Sequence, residues 1–144
     1  MRIVLDTTIL VRANDSARGL ARQLLLTLLH AGHTLVVSRE ILHETAKTLR
    51  YPRLCKFHSL TESGVYQYIA FLCDIADIVA LDPTLAVPIR DANDIFVAQT
   101  AVIGEADVLC TTDDDFYDAG VMQFLGRFGV KVMNDIDLIQ RLRI

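Results

Sequence analysis

Five short apolar runs recur along the chain: Arg2-Ile3-Val4-Leu5, Thr34-Leu35-Val36-Val37, Ile78-Val79-Ala80-Leu81, Val108-Leu109-Cys110 and Val130-Lys131-Val132. Runs of this length, rich in β-branched residues, read as buried strands rather than as helices. Longer segments with helical patterning fill the intervals. Gly19 to Ala31 stops at Gly32, Arg39 to Leu49 is capped by Ser38 and broken by Pro52, and Thr61 opens a helix to Cys73. Asp91 to Val102 stops near Gly104, and Asn134 caps a last helix with Ile136, Leu138, Ile139 and Leu142 on its inner side. Asp82 to Pro88, with two of the three prolines, is a loop. Strands alternating with helices predict a parallel sheet covered on both faces.

A chain of 144 residues, 52% hydrophobic, suits one domain over residues 1–144 with an aliphatic core. No apolar run approaches the roughly 20 residues of a membrane span. Asp6 interrupts the first apolar stretch too early for a signal peptide. Cys55, Cys73 and Cys110 are odd in number and form no close pair, as expected of reduced thiols in a cytoplasmic protein. The glycines form neither GxxxxGK nor GxGxxG, so no nucleotide cofactor is expected. His43-Glu44 opens like a zinc-protease motif, but Lys47 stands where the second histidine belongs.

Open parallel sheets work at the carboxyl ends of their strands, so the residues just past each run matter most. Asp6 comes directly after the first strand, and Asp113 lies three residues past the fourth. Glu44 rides the helix after the second strand, and Asp94 sits in the first turn of the helix before the fourth. Read singly, each has an ordinary explanation as a turn, a cap or a solvated acid, and Asp91 reads mainly as a cap. Together they can meet at one edge, where like charges repel unless a cation is shared. Oxygen ligands select Mg²⁺ or Mn²⁺ over zinc. Such an ion favours hydrolysis of a phosphodiester by water, with no Ser, Cys or His nucleophile.

The net charge of −4 lacks the basic footprint usual for a nucleic-acid binder. With four of the 18 acids assigned to a cation, the remaining 14 match the 14 Lys and Arg residues. Arg12, Arg18 and Arg22 come after the first acid, and Lys47, Arg50, Arg53 and Lys56 flank Tyr51-Pro52. Arg12 and Arg53 are the best candidates for phosphate contact.

At these residues the chain resembles the PIN domain family, in particular the VapC-like toxin components of bacterial toxin–antitoxin pairs. Val4-Leu5-Asp6-Thr7-Thr8-Ile9-Leu10 resembles the family's opening Asp-Thr-Asn motif. Val37 to Glu44 resembles its strand and helix carrying a glutamate, and Leu49-Arg50-Tyr51-Pro52-Arg53-Leu54 is similar to the subgroup's break after that helix. Arg90-Asp91-Ala92-Asn93-Asp94, with Ala98 and Ala101 after it, resembles the third motif, and Ala106 to Phe116 the fourth. The resemblance implies a three-layer α/β/α sandwich with a central five-stranded parallel sheet and Mg²⁺- or Mn²⁺-dependent cleavage of RNA. It implies Asp6, Glu44, Asp94 and Asp113 as metal-binding acids, with Asp91 and Asp115 as weaker additions, and Thr111 and Thr112 in the hydroxyl position before the fourth acid. It also implies an antitoxin partner and a homodimer. Thr8 departs from the pattern, standing where the family usually has Asn; a hydroxyl donates one hydrogen bond but cannot reproduce both amide functions.

Other readings of the same acids differ in chemistry. An aspartate-based phosphotransferase needs a second acid two residues after Asp6, where Thr8 stands. A receiver domain needs an acid pair at the first strand end, and the chain offers only Asp6 there. A PIN fold that binds RNA or protein without cleaving would have no need of all four acids.

Overall fold

The structure, a computed structural model, describes residues 1–143. Its centre is β1 (Arg2–Leu5), whose Ile3, Val4 and Leu5 are fully buried. On one side it pairs with β2 (Thr34–Ser38), which pairs in turn with β3 (Asp77–Val79). On the other side it pairs with β4 (Val108–Cys110), beyond which lies β5 (Lys131–Met133). All four pairings are parallel, and the order is β3-β2-β1-β4-β5. The sheet therefore grows outward from β1 in one direction, then jumps back across it to grow in the other. The switch point lies between β1 and β4, where open α/β sheets form their crevice.

Crossovers between the parallel strands put the helices on two faces. One layer holds α1 (Thr7–Arg12), α2 (Leu20–His30), α3 (Arg39–Leu49), α5 (Glu62–Ile75) and the returning α8 (Asp135–Leu142), with α2 packed on α8 and α3 on both α1 and α5. The other holds α6 (Ile95–Ile103), packed on β1, β2 and β4, and α7 (Ala119–Arg127), packed on α6 and β5. The short α4 (Pro52–Cys55) begins at Pro52, a residue tolerated in a first turn because its missing N–H has no helical partner there. The result is the expected three-layer α/β/α sandwich around a five-stranded parallel sheet.

The expected caps are in place. Ser38 accepts from Ile41 N–H at 3.3 Å, Thr61 from Gly64 N–H at 3.0 Å and Asn134 from Asp137 N–H at 2.8 Å. Gly32 ends α2 with φ of +78°, a left-handed conformation glycine adopts without steric cost.

Several boundaries move. The third strand is Asp77–Val79 rather than Ile78–Leu81, because Val79 pairs with Ser38, after which β2 turns into α3 and Ala80 and Leu81 have no neighbour to pair with. The fifth is Lys131–Met133, set by register with Val108–Cys110. The helix expected from Asp91 starts as a 3-10 turn, Ala92–Asp94, and becomes α-helical at Ile95. In α8, Leu138, Ile139 and Leu142 face inward as expected, but Ile136 lies two positions off that stripe and is exposed. Asp135 is buried in its place.

Candidate metal centre

Asp6 is the N-cap of α1 and continues the β1–β4 ladder, its N–H donating to Cys110 O at 2.9 Å. Its side chain is only 5% exposed. Oδ1 accepts from Thr7 N–H at 2.7 Å and Oδ2 accepts from the Thr111 hydroxyl at 2.7 Å. Burial pushes the Asp6 carboxyl up, these two donors pull it down, and the charge of Asp113 raises it. Thr111 is itself held: its N–H donates to Met133 O at 3.1 Å, and its carbonyl accepts from Tyr117 Oη at 2.7 Å. Its Oγ1 also accepts from Asp113 N–H at 3.0 Å, so one hydroxyl fixes the loop of one acid and the orientation of another.

Asp113 caps the 3-10 turn Asp114–Tyr117, accepting from Asp115 N–H at 2.9 Å. Asp91 caps the preceding 3-10 turn in the same way, accepting from Asn93 N–H at 2.9 Å. That turn carries Asp94 into the crevice. A pocket of about 160 Å³ is lined by Asp6, Thr7, Thr8, Glu44, Thr48, Asn93, Asp94, Phe96, Val97 and Asp113. The four leading acids, drawn from four separate segments, thus share one pocket at the β1/β4 switch point.

Asp94 sits at the focus of the negative charge. Its carboxyl is pushed up to about 7, chiefly by burial, then by the charge and proximity of Asp113, then by the charges of Asp6 and Asp91. Its Oδ2 is buried and has no hydrogen-bond partner. A buried unpaired carboxylate oxygen is unfavourable unless a proton or a cation meets it. Carboxylate oxygens of Asp91, Asp94 and Asp115 also lie within 4.8 Å of one another. Asp91 and Asp115 thus come closer to Asp94 than their rank as weaker additions suggests. Asp115 is engaged as well by Arg90 at 3.1 Å, a pair with an exposed guanidinium and correspondingly small energy. The donor set, all oxygen and strongly anionic, fits a hard divalent cation.

The family model of the PIN domain matches residues 2–115, which include every one of these acids. The chain belongs to the PIN domain family. This is a family of nucleases. No curated protein matches the chain. Among solved structures, its fold is similar to that in the crystal structure of VapBC2 from Rickettsia felis bound to a DNA fragment from their promoter. The TM-score is 0.60 and the identity 16%, over 93% of this chain and 98% of that one.

Within this PIN domain the remaining sequence candidates divide. Thr8 lines the pocket on its exposed lip, whereas Thr112 is exposed and lies outside the pocket lining. Arg12 is partly occupied, donating to the buried Asp135 at 3.3 Å. Arg22 is tied to Ala13 O and Asp15, and Arg50 to Glu62. Arg53 is exposed, 5.6 Å from the Tyr51 ring centroid. Thr7, Thr48 and Asn93 also line the PIN pocket, although the sequence reading gives none of them a role there. Thr48 had a usable signal, since it lies four residues past Glu44 and so shares its helix face.

No helix among the described residues is long and apolar enough to cross a membrane.

Proposed function

We propose that this PIN domain is a Mg²⁺- or Mn²⁺-dependent endoribonuclease that hydrolyses RNA phosphodiester bonds, acting in the cytoplasm as the toxin of a toxin–antitoxin pair. The observation that carries the metal dependence is the buried, unpartnered Asp94 Oδ2 in a pocket shared with Asp6, Glu44 and Asp113. These four acids would hold the ion, and Asp91 and Asp115 offer further oxygens beside Asp94. When bound, the ion supplies charge stabilisation at a phosphoryl oxygen and makes water easier to deprotonate near neutral pH.

The chain's own residues do the positioning. Thr111 and the Thr7 N–H fix the Asp6 carboxylate, leaving it little freedom to turn away. Glu44 reaches the pocket from α3 with no ion pair of its own among the described residues. Arg12 and Arg53 are the cations we assign to substrate phosphates. The motif resemblance to the toxin subgroup supports RNA as substrate, an antitoxin protein as partner and pairing into a homodimer, and the likeness in fold to VapBC2 agrees with the antitoxin partner.

The test is cleavage of RNA by purified protein with Mn²⁺, with Mn²⁺ affinity measured by calorimetry. Asp6→Ala and Asp94→Asn are expected to abolish cleavage, Glu44→Gln to weaken Mn²⁺ binding about 10-fold or more. Cleavage by Asp6→Ala at the wild-type rate would overturn the assignment. Mn²⁺ binding without cleavage of any RNA would leave a binding module instead.

A further inference from the structure

Phe57 is 76% exposed, more than any other large apolar side chain among the described residues. The turn that presents it is tied down on both sides. His58 Nδ1 accepts from Leu60 N–H, so its Nε2 donates to Leu49 O at 2.8 Å, and Ser59 N–H donates to Ser16 Oγ at 3.1 Å. The ring thus stands out from an anchored segment, and its exposure is a property of the fold. Together with Val11, Ala17 and Leu54 it walls a cleft of about 230 Å³ between α1 and α4. That is several times the roughly 30 Å³ share of a water molecule, enough for one planar base.

The surroundings are basic. Between Glu44 and Glu62 the sequence holds no acid, yet it carries Lys47, Arg50, Arg53 and Lys56, in a chain of net charge −4. Lys47, Arg53 and Lys56 are exposed and make no ion pair among the described residues. Lys56 Nζ lies 5.4 Å from the Phe57 ring centroid, as the Arg53 guanidinium lies over Tyr51, so cations and rings alternate. A single strand of nucleic acid asks for this combination, phosphate to cation and base to ring. The polar side chains of the cleft are already spent: the Asn14 amide bonds to Val11 O and to Ser16, and both His58 nitrogens are occupied. A peptide laid there would bring backbone N–H groups that find no free side-chain acceptor, whereas a base stacks with its polar edge in solvent.

The cleft adjoins the metal pocket along α1. Thr8 lines the pocket while Val11 and Arg12 line the cleft, and residues three and four apart share a helix face. We infer that Phe57 is a stacking platform for an unpaired RNA base, in a subsite between α1 and α4 beside the metal pocket. Arg12, Arg53 and Lys56 meet the phosphates on either side of that base. Every base has a π-face, so stacking holds the strand without selecting its sequence. The inference rests on the nuclease reading for RNA as the substrate, and adds to it the side chain that meets the bases.

The test is binding of short single strands of RNA in the Asp94→Asn background, where the strand stays whole, read by fluorescence anisotropy. Phe57→Ala is expected to weaken binding of oligouridylate about 10-fold, and of oligocytidylate to the same degree. Phe57→Tyr keeps a ring and is expected to bind like the parent. A base-free ribose-phosphate strand is expected to bind the parent and Phe57→Ala equally, because it has nothing to stack. The melting temperature and the salt dependence of binding are expected to hold in Phe57→Ala, since neither a buried group nor a phosphate contact is lost. Equal affinity of the parent and Phe57→Ala for oligouridylate overturns the inference, as it would if the face served a protein partner instead. An equal loss for the base-free strand overturns it too, as does failure of the parent to bind oligouridylate at all. The nuclease reading fails separately, if the wild type binds RNA through Phe57 but cleaves none with Mn²⁺. Cleavage by Phe57→Ala with unchanged KM leaves the nuclease reading standing and overturns the platform.

Discussion

The Thr111 hydroxyl donates to Asp6 Oδ2 at 2.7 Å, joining residues 105 positions apart at the carboxyl ends of β1 and β4. The bond does more than fix a rotamer. It is one of two donors that pull the Asp6 carboxyl down against the rise that its burial imposes. Thr111→Val removes it, and with it the acceptor for Asp113 N–H. The expected loss is about 1–3 kcal/mol of stability in urea unfolding, with weaker Mn²⁺ binding in calorimetry. Unchanged stability would mean that Asp6 is held by its Thr7 N–H alone.

Asp94 ties stability to pH. Its carboxyl is raised to about 7, so between the ordinary carboxylate range and about 7 the folded state holds more protons than the unfolded state. Stability therefore falls as pH rises through that window, and the raised carboxyl of Asp6 acts in the same direction. The melting temperature of metal-free protein is expected to drop from pH 5 to pH 8. Asp94→Asn should flatten the profile. Added Mn²⁺ should restore stability most strongly at the alkaline end, because the ion competes with the proton for the same oxygens.

Arg12 and Asp135 form a second dependence. Asp135 is 5% exposed, and its Oδ1 accepts from Ile136 N–H while Oδ2 meets the Arg12 guanidinium. Arg12→Ala leaves that carboxylate buried with its charge unanswered, at an expected cost of about 1–2 kcal/mol given the half-exposed arginine. In an Asp135→Asn background the same substitution should cost clearly less. The double-mutant cycle separates this structural share from any loss of RNA binding by Arg12.

Gly104 is required for packing rather than for conformation. A Cβ there would meet Val36 Cγ1 at 2.5 Å and Thr100 O at 2.7 Å, where the end of α6 presses on β2. Gly104→Ala is expected to destabilise by about 1–3 kcal/mol. Its carbonyl also accepts from Arg2 Nε at 2.8 Å, so a shifted α6 would loosen the start of the central strand β1. Thermal melting of the variant checks this.

The strands were legible because buried parallel strands are unbroken apolar runs, and the family motifs were legible because their acids sit at fixed offsets from such runs. Three helices were not, the single turn of α4 after the Pro52 break among them. In α1, Thr7-Thr8-Ile9-Leu10-Val11-Arg12 is dense in β-branched residues, which favour strands; burial of Ile9 and Leu10 in the core overrides that preference. In α7, Gly120 and Gly126 mask the helix, although Asp118 caps it through Gly120 and Val121 N–H, and Val121 and Leu125 mark its inner face at helical spacing. The Thr7 hydroxyl, buried without a hydrogen-bond partner, has no sequence signature at all. It is unpaired because strand rather than helix stands one turn behind it, and Thr7 and Thr8 look alike until the chain is folded.

The sheet order has a consequence in time. The strand that emerges first from synthesis, β1, becomes the middle of the sheet, and Asp6 gains its Thr111 donor only when the stretch after β4 arrives. Until then the acids of the crevice have no common edge on which to gather. A nascent chain that ends before Asp113 therefore lacks one wall of the pocket, and the centre is complete only once β4 has docked beside β1.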